Sequence, residues 1–312
     1  MTGPSTDLHT HLAPVLPESL VDRTEAGTAR VNGNAVRPLA LYHPTQLAEH
    51  LQTVGLDRAV VSIPPPFFGQ HLSGGPTGSW TSAVNNGLLE AVADHRVLLP
   101  LAYLPFNEPD IALAELHSRA SDDRFVGWVA CAGGGSLALD DRELEPLWAA
   151  LNGLDAFVML HPGQTPDKRL RPHYLSNLLG NPLETTVAAA QLVFGGVLER
   201  FPSIRFLLVH CGGAVAALAG RWQRGVDTNR PGVTVAALAP RDAVRRFWVD
   251  SLCHEAAAVD LARRVIGENR MVLGSDWPFP MGLDDPWTAI EHLETEARAG
   301  IATVNARELI GR

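Results

Sequence analysis

The chain has 312 residues, 46% of them hydrophobic and 19% charged, and a formal net charge of −9. This is an ordinary globular composition, long enough to bury a sizeable core. The acidic balance, with no basic cluster against it, argues against general nucleic-acid binding, and no apolar run reaches the roughly 18 residues of a membrane span.

Thr6–Leu12 is the first strand expected, and it contains His9 and His11 beside apolar Leu8 and Leu12. Alternate residues of a strand share a face, so both imidazoles point the same way; on a helix the same spacing would splay them. A Pro/Gly-rich excursion over Ala13–His43 follows, too long for a simple loop. Pro44–Val54 reads as a helix, with proline at its start and Gly55 at its end. Asp57–Ile63 is the second strand, and Gly69–Ser79 reads as a loop. Asn85–His95 is helical, Val97–Leu104 the third strand, Pro109–Ser121 helical and Phe125–Cys131 the fourth strand. Gly133-Gly134-Gly135 lacks the spacing of a dinucleotide site and is taken as a loop. Glu143–Leu151 is helical and Ala156–His161 the fifth strand. A long helix is expected over Asn181–Phe201, a sixth strand over Ile204–His210 and a helix over Ala214–Asp227. Phe247–Leu252 is the seventh strand, Glu255–Ile266 helical and Arg270–Gly274 the eighth strand. Helical stretches near Trp287–Ala299 and Ala302–Leu309 close the chain.

Eight apolar runs alternating with helices predict a parallel sheet buried on both faces. The expected fold is α/β, a (β/α)8 TIM barrel with an insertion after strand one, forming a single domain over residues 1–312. A doubly wound open sheet is the alternative. The three cysteines, Cys131, Cys211 and Cys253, are too few and odd in number for a disulfide framework. With no signal peptide visible, they point to a reducing cytoplasm.

The strand ends carry the functional signal. His9 and His11 end strand one, His161 strand five, His210 strand six, and Asp276 follows strand eight in Gly274-Ser275-Asp276-Trp277. In a barrel these ends converge on the mouth where active sites sit. One such histidine alone is usually a satisfied core or rim residue; four strand ends agreeing is harder to dismiss. Three imidazoles and a carboxylate can hold a divalent ion and leave a position open for water. Asp250, at the end of strand seven, could orient a ligand or form a rim salt bridge, and His254, Trp277 and Phe279 could line the mouth. His43, His50, His71, His95, His117, His173 and His292 are assigned no role.

The order His-x-His, His161-Pro162, His210-Cys211-Gly212-Gly213 and Ser275-Asp276-Trp277-Pro278 resembles the amidohydrolase superfamily. More closely it is similar to the branch that contains aminocarboxymuconate semialdehyde decarboxylase and γ-resorcylate decarboxylase. Asn181–Thr186, Gly195–Pro202 and Gly274–Pro280 carry this resemblance, which runs from Asp7 to about Gly282. It implies that His9, His11, His161 and Asp276 bind the metal and that His210 is a non-ligating acid/base. It implies that Arg221, on the helix after His210, holds a substrate carboxylate from a neighbouring subunit, with Arg37 facing it from the same chain. Cys211 departs from the branch, which has a glycine there, and is read as a core filler.

The expected function is therefore metal-dependent, non-oxidative decarboxylation of a small unsaturated or aromatic carboxylic acid. His210 and Asp276 would be catalytic, Zn2+ the first-choice ion with Mn2+ as the alternative, and a homodimer the active unit. A hydrolase of an amide, lactone or carbon–carbon bond would use the same ligands. A barrel working only as a binding or scaffold protein is the third reading.

Overall fold

In the computed structural model, residues 3–133, 135, 137–233 and 236–311 are described, so Gly134 of the triple glycine lies outside the described residues. Strand β1 (Thr6–His11) is buried along its whole length. The chain then makes a small antiparallel sheet of β2 (Asp22–Arg23), β3 (Ala29–Val31) and β4 (Asn34–Ala35). A helix over Pro44–Val54 stops at Gly55, whose φ of 72° is the left-handed conformation glycine adopts freely.

The remaining strands alternate with helices: β5 (Arg58–Ser62), β6 (Leu98–Leu104), β7 (Gly127–Cys131), β8 (Phe157–His161), β9 (Arg205–Leu208), β10 (Trp248–Asp250) and β11 (Met271–Val272). With β1 they form one eight-stranded sheet in the order β1-β5-β6-β7-β8-β9-β10-β11, and every pairing is parallel. Leu8 N donates to Leu273 O at 2.8 Å, and Thr10 bridges to Trp277. The last strand thus returns to the first, which an open doubly wound sheet would not do. Val60, Leu101, Val129, Met159, Leu207 and Val249 are all fully buried. Apolar on both faces, such strands need helices outside and packed side chains within. Among the described residues, no helix is long and apolar enough to cross a membrane.

Three stretches differ from the sequence reading. The helix expected at Asn85 starts ten residues earlier, spanning Gly75–Val92. Its first turns are rich in Gly, Ser and Thr, yet Thr77, Trp80 and Thr81 are buried, so packing overrides weak propensity. The long helix over Asn181–Phe201 is two, Asn181–Phe194 and Val197–Arg200, parted at Gly196 with φ 68°. The stretch Trp287–Ala299 is a short turn of helix over Pro286–Ile290 and a separate helix Thr295–Ala299.

Candidate metal centre

Strand β1 aims both its histidines into the barrel mouth, where His9 Nε2 and His11 Nε2 lie 3.3 Å apart. His161, the last residue of β8, packs its ring 5.1 Å from that of His9 and 4.9 Å from that of His11. Asp276, just beyond β11, sets Oδ1 2.9 Å from His11 Nε2 and 3.4 Å from His9 Nε2. One ligand atom from each of the four lies within 4.8 Å of the others, and all four residues are buried.

The other nitrogen of each ring is already engaged. His9 Nδ1 lies 2.8 Å from Asp250 Oδ2, His11 Nδ1 3.0 Å from Ser62 Oγ, and His161 Nδ1 2.8 Å from Pro162 O. A carbonyl only accepts, so His161 Nδ1 carries its proton and its Nε2 presents a lone pair inward. That Nε2 is buried without a partner, and Asp276 Oδ1 makes no well-formed hydrogen bond. Buried acceptors facing one another are costly unless a cation lies between them. These donors therefore fit a divalent ion, with the outer partners fixing each tautomer.

The electrostatics agree with that fit. Burial holds the His161 pKa well below its ordinary value, and the neighbouring His11, His9 and His210 add to the effect. Burial also lowers that of His11. Burial pushes His9 down as well, but the carboxylates of Asp276 and Asp250 outweigh it and its pKa rises. Burial raises the Asp276 carboxyl, yet His9, His11 and His210 together hold it well below the usual carboxylate range. The centre thus keeps a carboxylate charged among imidazoles that resist protonation, with only His9 drawn toward the charged form.

Asp250 does more than orient a ring. It is fully buried, and it accepts the amide protons of His210 at 3.0 Å, Cys211 at 2.7 Å and Leu252 at 3.2 Å. One carboxylate therefore ties His9 to the turn that presents His210. That turn is strained: His210 and Cys211 both have φ 54°, and Asp276 across the mouth has φ 60°. Residues other than glycine rarely adopt this backbone conformation, and it persists where surrounding bonds enforce it. His210 Nε2 stands 3.8 Å from Asp276 Oδ2, outside hydrogen-bonding distance, and its side chain is 16% exposed.

Two cavities open on the cluster. The larger, about 400 Å³, is lined by Asn177, Leu252, Cys253, His254, His210 and Asp276 among others. The smaller, about 200 Å³, is lined by His161, Tyr174 and Phe279, and shares Asn177, Asn181, Asp276 and Met281 with the first. Among the described residues, no lysine or arginine lines either cavity. Arg221 is exposed on the helix Val215–Asp227, and Arg37 is exposed just after the small antiparallel sheet. The structure brings His9, His11, His161, His210 and Asp276 together and leaves both arginines outside.

Residues 6–312 match the family model described as amidohydrolase. The chain belongs to the amidohydrolase family. Among its curated relatives is the 2-amino-3-carboxymuconate-6-semialdehyde decarboxylase of Dictyostelium discoideum, 27% identical over 98% of this chain and 91% of that protein. The gamma-resorcylate decarboxylase of Rhodococcus jostii is 28% identical over 57% of this chain and 59% of its own. Among solved structures, 5-carboxyvanillate decarboxylase from Sphingomonas paucimobilis superposes with a TM-score of 0.84 at 18% identity, covering 99% of each chain. A dihydroxybenzoic acid decarboxylase from Polaromonas, solved with manganese and 2-nitroresorcinol, gives 0.79 at 19% identity over 100% of this chain and 97% of its own.

In this amidohydrolase the sequence reading passed over several residues around the cluster. Asp7 Oδ1 accepts the amides of His9 at 3.0 Å and Ser275 at 3.1 Å, tying β1 to the Asp276 loop. Ser62 backs His11, and His50 stacks on Trp277 with ring centres 5.8 Å apart. Only Asp7 carried a visible signal, an acidic residue in the first strand two positions before His9. Phe279 packs edge-on to His11 at 5.3 Å, while Trp277 turns away toward His50.

Proposed function

We propose that this amidohydrolase is a metal-dependent, non-oxidative decarboxylase of a small unsaturated or aromatic carboxylic acid, working as one catalytic domain. The observation that carries the reading is the cluster of three imidazoles and Asp276, open to a cavity whose wall holds His210. The curated decarboxylase relatives support it, one of them along nearly the whole chain.

A bound divalent cation would be held by His9, His11, His161 and Asp276 and would supply Lewis acidity and activation of water. Zinc suits a three-histidine, one-carboxylate set, and the manganese in the Polaromonas relative makes that ion the alternative. His210 holds a proton at Nε2 and delivers it to the carbon that loses its carboxylate. The Asp250 bonds to its backbone keep that nitrogen aimed at the mouth. Leu178, Pro182, Leu252 and Met281 give the larger cavity apolar walls suited to a flat ring.

A substrate carboxylate needs a cationic partner beyond the metal, and one chain supplies no arginine to the cavity. We assign that task to Arg221 of a second copy, which makes the active unit a homodimer. Arg37 keeps the weaker case, since it is exposed and lines neither cavity. The same lack of an arginine favours the second reading, a hydrolase attacking a carbonyl from the same site. Three free thiols accord with a reducing cytoplasm.

The test is direct. Zinc- or manganese-loaded protein is incubated with 2,6-dihydroxybenzoate, 5-carboxyvanillate and related acids while carbon dioxide and the ring absorbance are followed. Carbon dioxide should appear in step with loss of acid. Amide or lactone cleavage without carbon dioxide would sink the decarboxylase in favour of the hydrolase. His210→Ala should slow turnover about 10²–10⁴-fold while metal content stays at the wild-type level; parallel loss of metal would mean that His210 is a ligand.

A further inference from the structure

Two asparagines stand where the two cavities meet, and the chemistry so far gives them no task. The cavities share four residues, Asn177, Asn181, Asp276 and Met281. Asp276 belongs to the cluster and Met281 is apolar, so the two carboxamides are the uncharged polar groups of the shared wall. Asn177 lies in a single π-helical turn, Ser176–Gly180, and Asn181, four residues on, opens the helix Asn181–Phe194. Both line both cavities, so they present to the same side, and both are partly buried. Among the described residues, neither carboxamide has a hydrogen-bond partner. Asparagines that serve the fold are satisfied within it. Asn85 Nδ2 donates to Tyr103 O at 3.0 Å while its Oδ1 accepts the Tyr103 amide at 2.7 Å, and Asn305 Nδ2 donates to Met271 O at 2.7 Å and Glu268 O at 3.1 Å. At the junction, two donor–acceptor groups are instead left to meet whatever enters beside Asp276.

We propose that Asn177 and Asn181 are specificity-determining residues, which select an acid whose ring carries a neutral hydroxyl away from the reacting carboxylate. One carboxamide oxygen accepts the hydroxyl proton, and the NH2 of the other donates to the hydroxyl oxygen. The ring itself lies against Leu178, Pro182 and Leu252. Other substituents suit the wall less well. A hydrogen or a methyl group there leaves both amides shielded from water and unpaired. An ether accepts but does not donate. A second carboxylate would share its cavity with Asp276 and Glu255, where no lysine or arginine among the described residues offsets it. A wall built to hydrogen-bond a hydroxyl rejects the analogue lacking it far more strongly than an apolar wall rejects an added group. The assignment deepens the decarboxylase reading and rests on it for seating the acid at the cluster.

The experiment measures binding to full-length, zinc-loaded protein by calorimetry. The probes are benzoate, 3- and 4-hydroxybenzoate, the two matching methoxybenzoates, and isophthalate for a second carboxylate. Meta and para substituents are out of chelating reach of the cation, so a preference among these acids reports the wall and not the metal. The better hydroxy acid should bind about 10–100-fold tighter than its methoxy counterpart and than benzoate, with isophthalate the weakest. N177A and N181A should each reduce that preference to about threefold, and zinc content at the wild-type level shows the mouth intact. Wild-type protein that binds hydroxy and methoxy acids alike, or isophthalate best, overturns the proposal whatever the variants do. A hydroxyl preference that survives intact in both variants overturns it as well. Binding needs no turnover, so the two readings can fail separately. Asparagine-dependent selection of the hydroxy acid, with carbon dioxide released from no acid tried, would count against the decarboxylase and for the asparagine pair. Carbon dioxide released with no preference for a hydroxyl would do the reverse.

Discussion

At Asp250, two oxygens serve four donors: His9 Nδ1 and the His210 amide on Oδ2, and the Cys211 and Leu252 amides on Oδ1. Asparagine keeps the volume but has one acceptor oxygen, so its amide nitrogen must confront two of these N–H groups. Asp250→Asn is expected to weaken metal binding about 10–100-fold, read by competition with a chromophoric chelator; unchanged affinity would mean that His9 is oriented without it. Asp7 makes a different prediction. Burial raises its pKa from 3.8 to about 6, against the bonds from Ser275 and His9. The folded protein therefore holds this proton more tightly than the unfolded chain does. That contribution is complete below about pH 4 and is lost as pH rises through about 6, a change of about 3 kcal/mol at most. In metal-free protein, Asp7→Asn, a neutral isostere, should gain stability relative to wild type between pH 4 and 7, as urea midpoints would record; a gap that narrows with rising pH refutes the assignment. His161 and His210 were legible because each follows directly on an apolar run, Asp276 because it closely follows one, and His9 and His11 because alternate residues of a strand share a face. Ser62 was not, because nothing in sequence links a serine on β5 to His11.

The helix Gly75–Val92 is the element that sequence places least well, and the one whose packing most needs a glycine. A Cβ on Gly87 would come within 2.2 Å of Val15 O and 2.9 Å of Val15 N, where the segment after β1 crosses the helix and Val15 N donates to Gly87 O at 3.0 Å. Backbone cannot yield as a flexible side chain does. Gly87→Ala should therefore cost about 1–3 kcal/mol, despite alanine's better helix propensity, and shift the segment leading out of β1. Equilibrium unfolding measures it, and a stabilised variant would show that the crossing is loose. The barrel strands were legible to within two residues at each end, because continuous apolar runs bounded by polar and glycine punctuation have few other uses. The small antiparallel sheet was not, because β2 and β4 are two residues each and held by pairing with β3 rather than by pattern. The break at Gly195-Gly196 was visible in composition but masked by the apolar periodicity on either side.

For the whole molecule, the open question is where a substrate anion finds its cation. The formal net charge of −9 repels such an anion at long range, so attraction must be local. Within one chain the mouth presents imidazoles, Asp276 and apolar walls, and Arg221 lies on the exposed outer face of Val215–Asp227. A side chain so placed serves the reaction only if a second copy brings it over a neighbouring mouth, and symmetry then makes the exchange mutual. Mixing subunits decides this. Arg221→Ala and His210→Ala should each be nearly inactive alone. If Arg221 acts across the interface, a mixed dimer pairs one intact His210 with the one intact Arg221 at a single mouth and leaves the other mouth without either. Random reassortment of equal amounts should then recover about a quarter of wild-type activity. If Arg221 served its own chain, every mouth would still lack one of the two groups, and mixing would recover nothing. Light scattering on the same samples fixes the subunit count, and a fully active monomer would end the case for sharing.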